Sequence, residues 1–140
     1  MGLEDVITTG VESAGPSATA EHLAKTMADS NVGSVVVTED GVPVGMVTDR
    51  DLAERVLAMG RDPAEVTAAD LMSGDVQVLA AGADVLDATA IMHRETVRRL
   101  PVVDEESRLV GIVTLDDLLR LLATELDHLV GVVERESGFY

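Results

Sequence analysis

The sequence predicts an α/β protein made of two copies of one unit, and three observations predict it. Residues 45–52 read GMVTDRDL and residues 111–118 read GIVTLDDL, an octapeptide returning at an offset of 66 in a chain of 140 residues. A near-repeat at almost half the chain length marks a duplication. Around each copy the same succession recurs: a short apolar run, a segment with helical spacing, two Val-rich strands and a closing helix. Finally, 46% of the residues are apolar, enough for a real core in a single compact unit of this size.

Taken in order, Asp5-Val6-Ile7-Thr8 matches Asp70-Leu71-Met72-Ser73 at an offset of 65, and at that offset Val11 falls on Val76, Met27 on Met92 and Val32 on Val97. Short apolar runs come next, at 11–14 and 76–79. The helical segments follow. In the second copy Val85, Ala88, Ile91 and Met92 share one face behind Asp84, a natural N-cap. Strands are expected at 34–38 and 43–48, then at 99–103 and 109–114. The offset changes from 65 to 66 between the strands of each pair, where Glu39-Asp40-Gly41 faces the longer Asp104-Glu105-Glu106-Ser107. An insertion costs least in such a hairpin turn. Gly60 and Pro63 punctuate a linker at 60–67. The divisions are therefore a first repeat at 1–66, a second at 67–132 and a C-terminal tail at 133–140. The last helix starts near Leu115, and its stripe of Leu118, Leu122, Leu126, Leu129 and Val133 is expected to pack on the sheet or on a partner subunit.

Composition narrows the function classes. The net charge is −16, from 26 acidic and 10 basic residues, and the only aromatics are Phe139 and Tyr140. Binding single-stranded nucleic acid calls for basic grooves and stacking aromatics, so no nucleic-acid partner is expected. Any planar ligand would lie between aliphatic side chains. Acidic excess with a single Lys (Lys25) suits a high-salt cytoplasm, where the Debye length shrinks to about 3 Å at 1 M, and it also suits a merely acidic protein of a GC-rich genome. Cysteine is absent, which removes disulfides and thiolate chemistry. The acidic start argues against a signal peptide, and no apolar run reaches the ~18 residues of a membrane span. A cytoplasmic protein with no membrane insertion is expected.

The repeated octapeptide carries the candidate chemistry. In Gly-x-x-Thr-x-x-Asp a strand runs straight into a helix, so Thr48 or Thr114 and the first free N–H groups meet at a helix N-terminus, which favours phosphate or sulfate. Asp51 and Asp117 follow one turn later on the same side, and a carboxylate can accept both vicinal hydroxyls of a ribose. Gly45 and Gly111 lack a Cβ and admit a ligand or a neighbouring segment. The same Thr and Asp also make an ordinary helix cap. A cap alone, however, does not require the same Gly, Thr, Asp and Leu twice.

These residues, together with Val97-Arg98-Arg99-Leu100-Pro101-Val102-Val103-Asp104, resemble a pair of cystathionine-β-synthase (CBS) domains, the tandem unit called a Bateman module. The resemblance covers about residues 5–130. It implies two β-α-β-β-α repeats packed about a pseudo-two-fold axis, with two clefts that bind adenosine-containing ligands (AMP, ADP, ATP or S-adenosylmethionine), no covalent cofactor, and a homodimer that regulates an enzyme or transporter. Carried over by position, Asp51 and Asp117 would hold ribose hydroxyls and Thr48 and Thr114 would meet phosphate or the ribose edge. Val36 and Val102, with their strand neighbours and Pro101, would wall the adenine, and Arg99 would reach the phosphate.

The copies differ. The residue before the ribose Asp is Arg50 in the first and Asp116 in the second, and Gly33-Ser34 stands where the second has Arg98-Arg99. Unequal clefts are expected. Arg94, Arg98 and Arg99, clustered within six positions, could form a phosphate pocket and could equally pair with nearby carboxylates as a surface network. No P-loop, dinucleotide fingerprint, zincin or nucleophile-elbow motif is present. Asp116 and Asp117 are adjacent and point about 100° apart on a helix, so they form no acid/base dyad. A regulatory module is therefore expected rather than an enzyme, the alternative being a structural or interaction module with vestigial clefts.

Overall fold

The computed structural model describes residues 2–137. Two three-stranded sheets organise it, and each is built the same way. The first has the order β1-β2-β3, with β1 (Ser13–Ala14) parallel to β2 (Ser34–Glu39) and β2 antiparallel to β3 (Val42–Thr48). The second repeats this with β4 (Leu79–Ala80), β5 (Arg99–Val103) and β6 (Leu109–Thr114). The parallel pair in each sheet is joined by a helix, α1 (Ala20–Ser30) or α4 (Val85–Glu95), as a parallel crossover requires.

Local chemistry sets the boundaries. The Thr19 side chain accepts from the His22 N–H at 3.1 Å at the start of α1, and Asp84 caps α4 by accepting from the Asp87 N–H at 3.0 Å. Both helices end on a residue in the left-handed region, Asn31 (φ 52°) and Thr96 (φ 54°). The hairpins differ as their lengths require. Asp40 (φ 52°) and Gly41 (φ 80°) turn β2 into β3, the positive-φ pair of a two-residue turn. The longer second turn is tied by the Asp104 carboxylate, which accepts from the N–H groups of Glu106 and Arg108. The strands expected at 99–103 and 109–114 occupy those residues, while β1 and β4 are shorter than the apolar runs at 11–14 and 76–79.

Each core holds a segment from the other half of the chain. The core beneath β2 and β3 includes Leu23, Val35, Val37 and Val47, together with Val66 from the linker and Ala68 and Leu71 from beyond it. The core beneath β5 and β6 includes Leu79, Leu100, Val102, Val113 and Leu118, together with Leu3 from the chain start, with Val6 and Ile7 packed against it. A single turn at Leu3–Asp5 and the short helix α3 (Ala68–Leu71) deliver these side chains. Thr8 then pairs with Ile112 through two backbone hydrogen bonds of 2.9 Å. The exchange is reciprocal, as a two-fold relation between repeats demands. It also accounts for the two glycines. A Cβ on Gly45 would lie 2.6–2.9 Å from Met72 side-chain atoms, and one on Gly111 would lie 2.4 Å from Ile7 and 2.9 Å from the Thr8 carbonyl.

The closing helices differ. After α2 (Asp49–Leu52) the chain widens into a π-helical turn at Ala53–Leu57, where Arg55 donates to the Leu71 carbonyl and, at 3.2 Å, to that of Asp70. An Arg so placed satisfies the last carbonyls of α3. The second closing helix, α5 (Leu115–Ser137), is regular and continues well past 133, through residues expected to form a tail. Of its expected stripe only Leu118 is buried; Leu122, Leu126, Leu129 and Val133 are exposed. Packing on the sheet therefore stops near Leu121. Residues 138–140, including both aromatics, lie outside the described residues. No described helix is long and apolar enough to cross a membrane.

Candidate functional site

Both Thr–Asp pairs are helix caps in the structure. The Thr48 N–H and hydroxyl donate to Asp51 Oδ2 at 2.9 and 3.2 Å, and the Asp51 N–H returns a bond to the Thr48 hydroxyl at 3.2 Å. Thr114 and Asp117 do the same at 3.2, 2.7 and 3.1 Å. This reciprocal box satisfies donors that a helix start leaves unpaired. It engages one carboxylate oxygen. The other oxygen of Asp117 accepts from Arg120 at 3.4 Å, whereas Asp51 Oδ1 has no hydrogen bond among the described residues. Thr67 and Asp70 build a third such box, and the hydrogen bonds from the Thr67 N–H and hydroxyl hold the Asp70 carboxyl below its ordinary pKa.

A cleft of about 430 Å³ opens between the repeats beside the first box. Four of the expected residues line it: Thr48 and Arg50 from the first repeat, and Arg99 and Pro101 from β5. Arg98, noted with Arg94 and Arg99 as a basic cluster, lines it too, and residues that sequence reasoning did not assign to a site complete it, namely Asp49 and the segment Ser73, Asp75, Val76 and Gln77. The doubled Asp5-Val6-Ile7-Thr8/Asp70-Leu71-Met72-Ser73 pattern pointed at that segment without saying which sheet it would meet. Among the described residues no backbone pair joins Ser73 to Met46 in the way Thr8 joins Ile112, although 8 and 73 are equivalent positions, as are 46 and 112.

The cleft is locally cationic. Arg50, Arg98 and Arg99 line it against two carboxylates, Asp49 and Asp75, in a chain of net charge −16. Arg99 reaches the first repeat: a Cβ on Gly33 would lie 3.3 Å from its guanidinium and 3.2 Å from the Asp49 carboxylate. Any larger residue at 33 would crowd both groups. Arg98 stands 3.9 Å from Asp116 in an exposed pair, an arrangement worth little in water. Arg50 donates to Glu54 at 2.8 Å, which raises its pKa further. Arg94 pairs with Glu95 at 2.8 Å, away from the cleft.

The remaining expected residues stand elsewhere. Val36 and Val102 are fully buried, and neither lines the cleft; Val102 belongs to the second core. Asp51 is half-buried in its box. Asp117 borders a separate recess of about 350 Å³ with Asp5, Ile7 and Arg120. Among the described residues, no group of three or more His, Asp or Glu could hold a metal ion.

Two stacked β-α-β-β-α repeats with a cleft at their junction define a tandem module, and comparison with known proteins gives its family. The CBS domain model matches residues 3–58 and 68–124. The chain belongs to the CBS domain family and carries a tandem pair of these domains. It is 41% identical over 120 residues to a CBS domain-containing protein of Bacillus subtilis, spanning 83% of this chain and 81% of that one. Hypoxic response protein 1 of Mycobacterium tuberculosis is 35% identical over 119 residues, spanning 84% and 82%. A crystal structure of hypoxic response protein with two coordinated zinc ions superposes with a TM-score of 0.74 at 34% identity, over 86% of this chain and 98% of that one. A CBS domain pair in complex with 5′-methylthioadenosine and S-adenosylmethionine gives a TM-score of 0.77 at 26% identity, over 87% and 99%. The relatives matched over most of their own length are thus named for their CBS domains or as a hypoxic response protein, and neither name states a reaction. Some CBS pairs of this fold bind adenosine ligands.

Proposed function

We propose that this chain is a regulatory module that binds an adenosine-containing ligand, AMP, ADP, ATP or S-adenosylmethionine, and signals to an enzyme or transporter as a homodimer. The cationic cleft carries this reading: three arginines line it in a strongly acidic chain, a composition that favours phosphate or another anionic group. Structural relatives solved with S-adenosylmethionine and with ATP support the ligand class. Asp51, with one carboxylate oxygen uncommitted, is suited to a ribose hydroxyl, and Arg99 to a phosphate. The second cleft, with Thr114, Asp116 and Asp117, is the weaker site. Asp116 stands where the first copy has Arg50, and the Thr8–Ile112 backbone pairing has no counterpart among the described residues of the first. A ligand moves such a module only through its differential affinity for two arrangements of the repeats.

The test is a thermal-shift panel of the four ligands in low and multimolar KCl, followed by calorimetry on whichever binds. Stabilisation by at least one ligand is expected, with one strong and one weak site, and with Arg99→Ala reducing the shift. No shift from any ligand in either salt would remove the ligand reading, and two identical sites would remove the asymmetry.

A further inference from the structure

The cleft between the repeats mixes charges of both signs, and the repeat pattern accounts for neither. Arg50, Arg98 and Arg99 line it together with Asp49 and Asp75. At the positions equivalent to these arginines the repeat places Asp116, Gly33 and Ser34, and at those equivalent to the carboxylates Leu115 and Gly10. A leucine serves at 115, so the fold does not call for an acid at 49. The two carboxylates need a reason of their own, the more so beside a site for anions, because like charges about 4 Å apart repel even in water.

The arginines are not equally available. The Arg50 Nε donates to Glu54 at 2.8 Å, in a pair open to solvent. Arg98 is exposed and stands 3.9 Å from Asp116. Arg99 is half-buried and enters no ion pair among the described residues. Its guanidinium shares one spot with Asp49: each has an atom within 3.3 Å of a Cβ placed on Gly33. Asp49 is held there, since its Oδ1 accepts from the Arg50 N–H at 2.8 Å and its own N–H donates to the Gly33 carbonyl at 2.9 Å. That leaves Oδ2 as the oxygen nearest Gly33 and Arg99.

We propose that Asp49 and Asp75 set a charge ceiling on this cleft. It takes an adenosine ligand with one anionic head group, a 5′-monophosphate or the carboxylate of an amino-acid arm as in S-adenosylmethionine, and rejects di- and triphosphates. One guanidinium grips one phosphate or carboxylate through two parallel hydrogen bonds, and Arg99 supplies it. A second or third phosphate would meet two arginines already engaged by Glu54 and Asp116, and two carboxylates. The wider field acts in the same direction, because a chain of net charge −16 opposes each further negative charge brought to it. The inference rests on the adenosine reading above and divides its four ligands, with AMP and S-adenosylmethionine on one side and ADP and ATP on the other.

Calorimetry of the full chain with each of the four ligands reads the ceiling, with a chelator present so that no divalent cation neutralises the phosphates. At low salt AMP or S-adenosylmethionine should bind roughly 10-fold or more tighter than ATP. The tighter isotherm should disappear in Arg99→Gln; its survival there would overturn the placement on Arg99. Asp49 and Asp75 are exposed, and Asn keeps their shape and, at 49, an oxygen for the Arg50 N–H, so Asp49→Asn/Asp75→Asn should fold as wild type does. The double variant should raise the affinity for ATP relative to the preferred ligand by roughly 10-fold. S-adenosylmethionine should weaken in it, because its ammonium and sulfonium lose their carboxylates, whereas AMP should not; this separates the two sources of the anionic group. ADP or ATP binding wild type as tightly as the better of the other two would overturn the ceiling and leave the adenosine reading standing. So would a double variant with no relative gain for ATP. Binding of none of the four would overturn both.

Discussion

At the start of α2, Thr48 and Asp51 exchange three hydrogen bonds, and at the start of α5, Thr114 and Asp117 exchange the same three. The surroundings of these junctions diverge. The first opens onto a cleft with three arginines, and its Asp keeps one oxygen uncommitted. At the second, Arg120 takes the spare oxygen of Asp117, Arg98 approaches Asp116, and Thr8 is stitched to Ile112. Duplicated residues thus preserved the closure of the fold, and the unrepeated ones around them set the chemistry. A repeated motif marks where a site lies. Its departures say what the site holds.

The exchanged segments offer the hardest test of that comparison. Leu3 and Leu71 are 2% and 1% exposed, and truncation at either should cost about 2–5 kcal/mol. The damage should cross over: in hydrogen exchange, Leu3→Ala should loosen β5 and β6 first, and Leu71→Ala should loosen β2 and β3. Loosening confined to the repeat that carries the substitution would show the cores to be assigned wrongly.

The glycines separate the two halves next. Adding a methyl at 45 or 111 overfills a packed site, at about 1–3 kcal/mol. Gly111→Ala should be the worse, because it meets the Thr8 carbonyl, fixed by its pairing with Ile112, whereas the nearest atoms to a Cβ at 45 all belong to the Met72 side chain. Urea denaturation of the two variants decides this, and equal losses would argue that the two junctions are equally rigid.

Removing the capping hydroxyls should have a smaller and more even effect. Thr48→Ala and Thr114→Ala should each cost about 1 kcal/mol. If Thr48→Ala also weakens ligand binding beyond what this loss of stability explains, the first cap serves both fold and site; the same result for Thr114→Ala would restore symmetry.

The smallest effect concerns Asp70, whose carboxyl is held below its ordinary pKa by Thr67. A depressed pKa stabilises the folded state fully above the ordinary carboxylate value of about 3.9, and the contribution is lost as pH falls through the folded value. The stability gap between wild type and Thr67→Ala should therefore be constant near neutrality and close as pH drops below about 4. A gap that widened on acidification would contradict the assignment.

The sequence made the hairpins legible because Val-rich runs between turn residues leave few alternatives; β5 and β6 begin and end where those runs do. β1 and β4 were blurred because strands of two residues owe their existence to a neighbour, not to their own pattern. The exchange of Leu3 and Leu71 was invisible for a related reason: periodicity says that a side chain is buried, never in which core. Of the residues lining the cleft, Thr48, Arg50, Arg99 and Pro101 were readable from motif and charge. Asp49, Asp75 and Gln77 were not, since only folding brings the segment after the linker to the start of α2. Val36 and Val102 look like cleft walls in sequence, but the middle of a sheet covered on both faces leaves them no free surface.

The reciprocal loan of Leu3 and Leu71 bears on how such a chain arose. A single repeat would present its own first segment to a core that cannot use it, while its own core stayed uncovered. Only a second repeat cures both defects at once. A half-length chain would be expected to need a second copy to cover its core, and the linker at 60–67 makes that contact intramolecular. The second repeat is thus not an addition to a finished first one, because each completes the other's core.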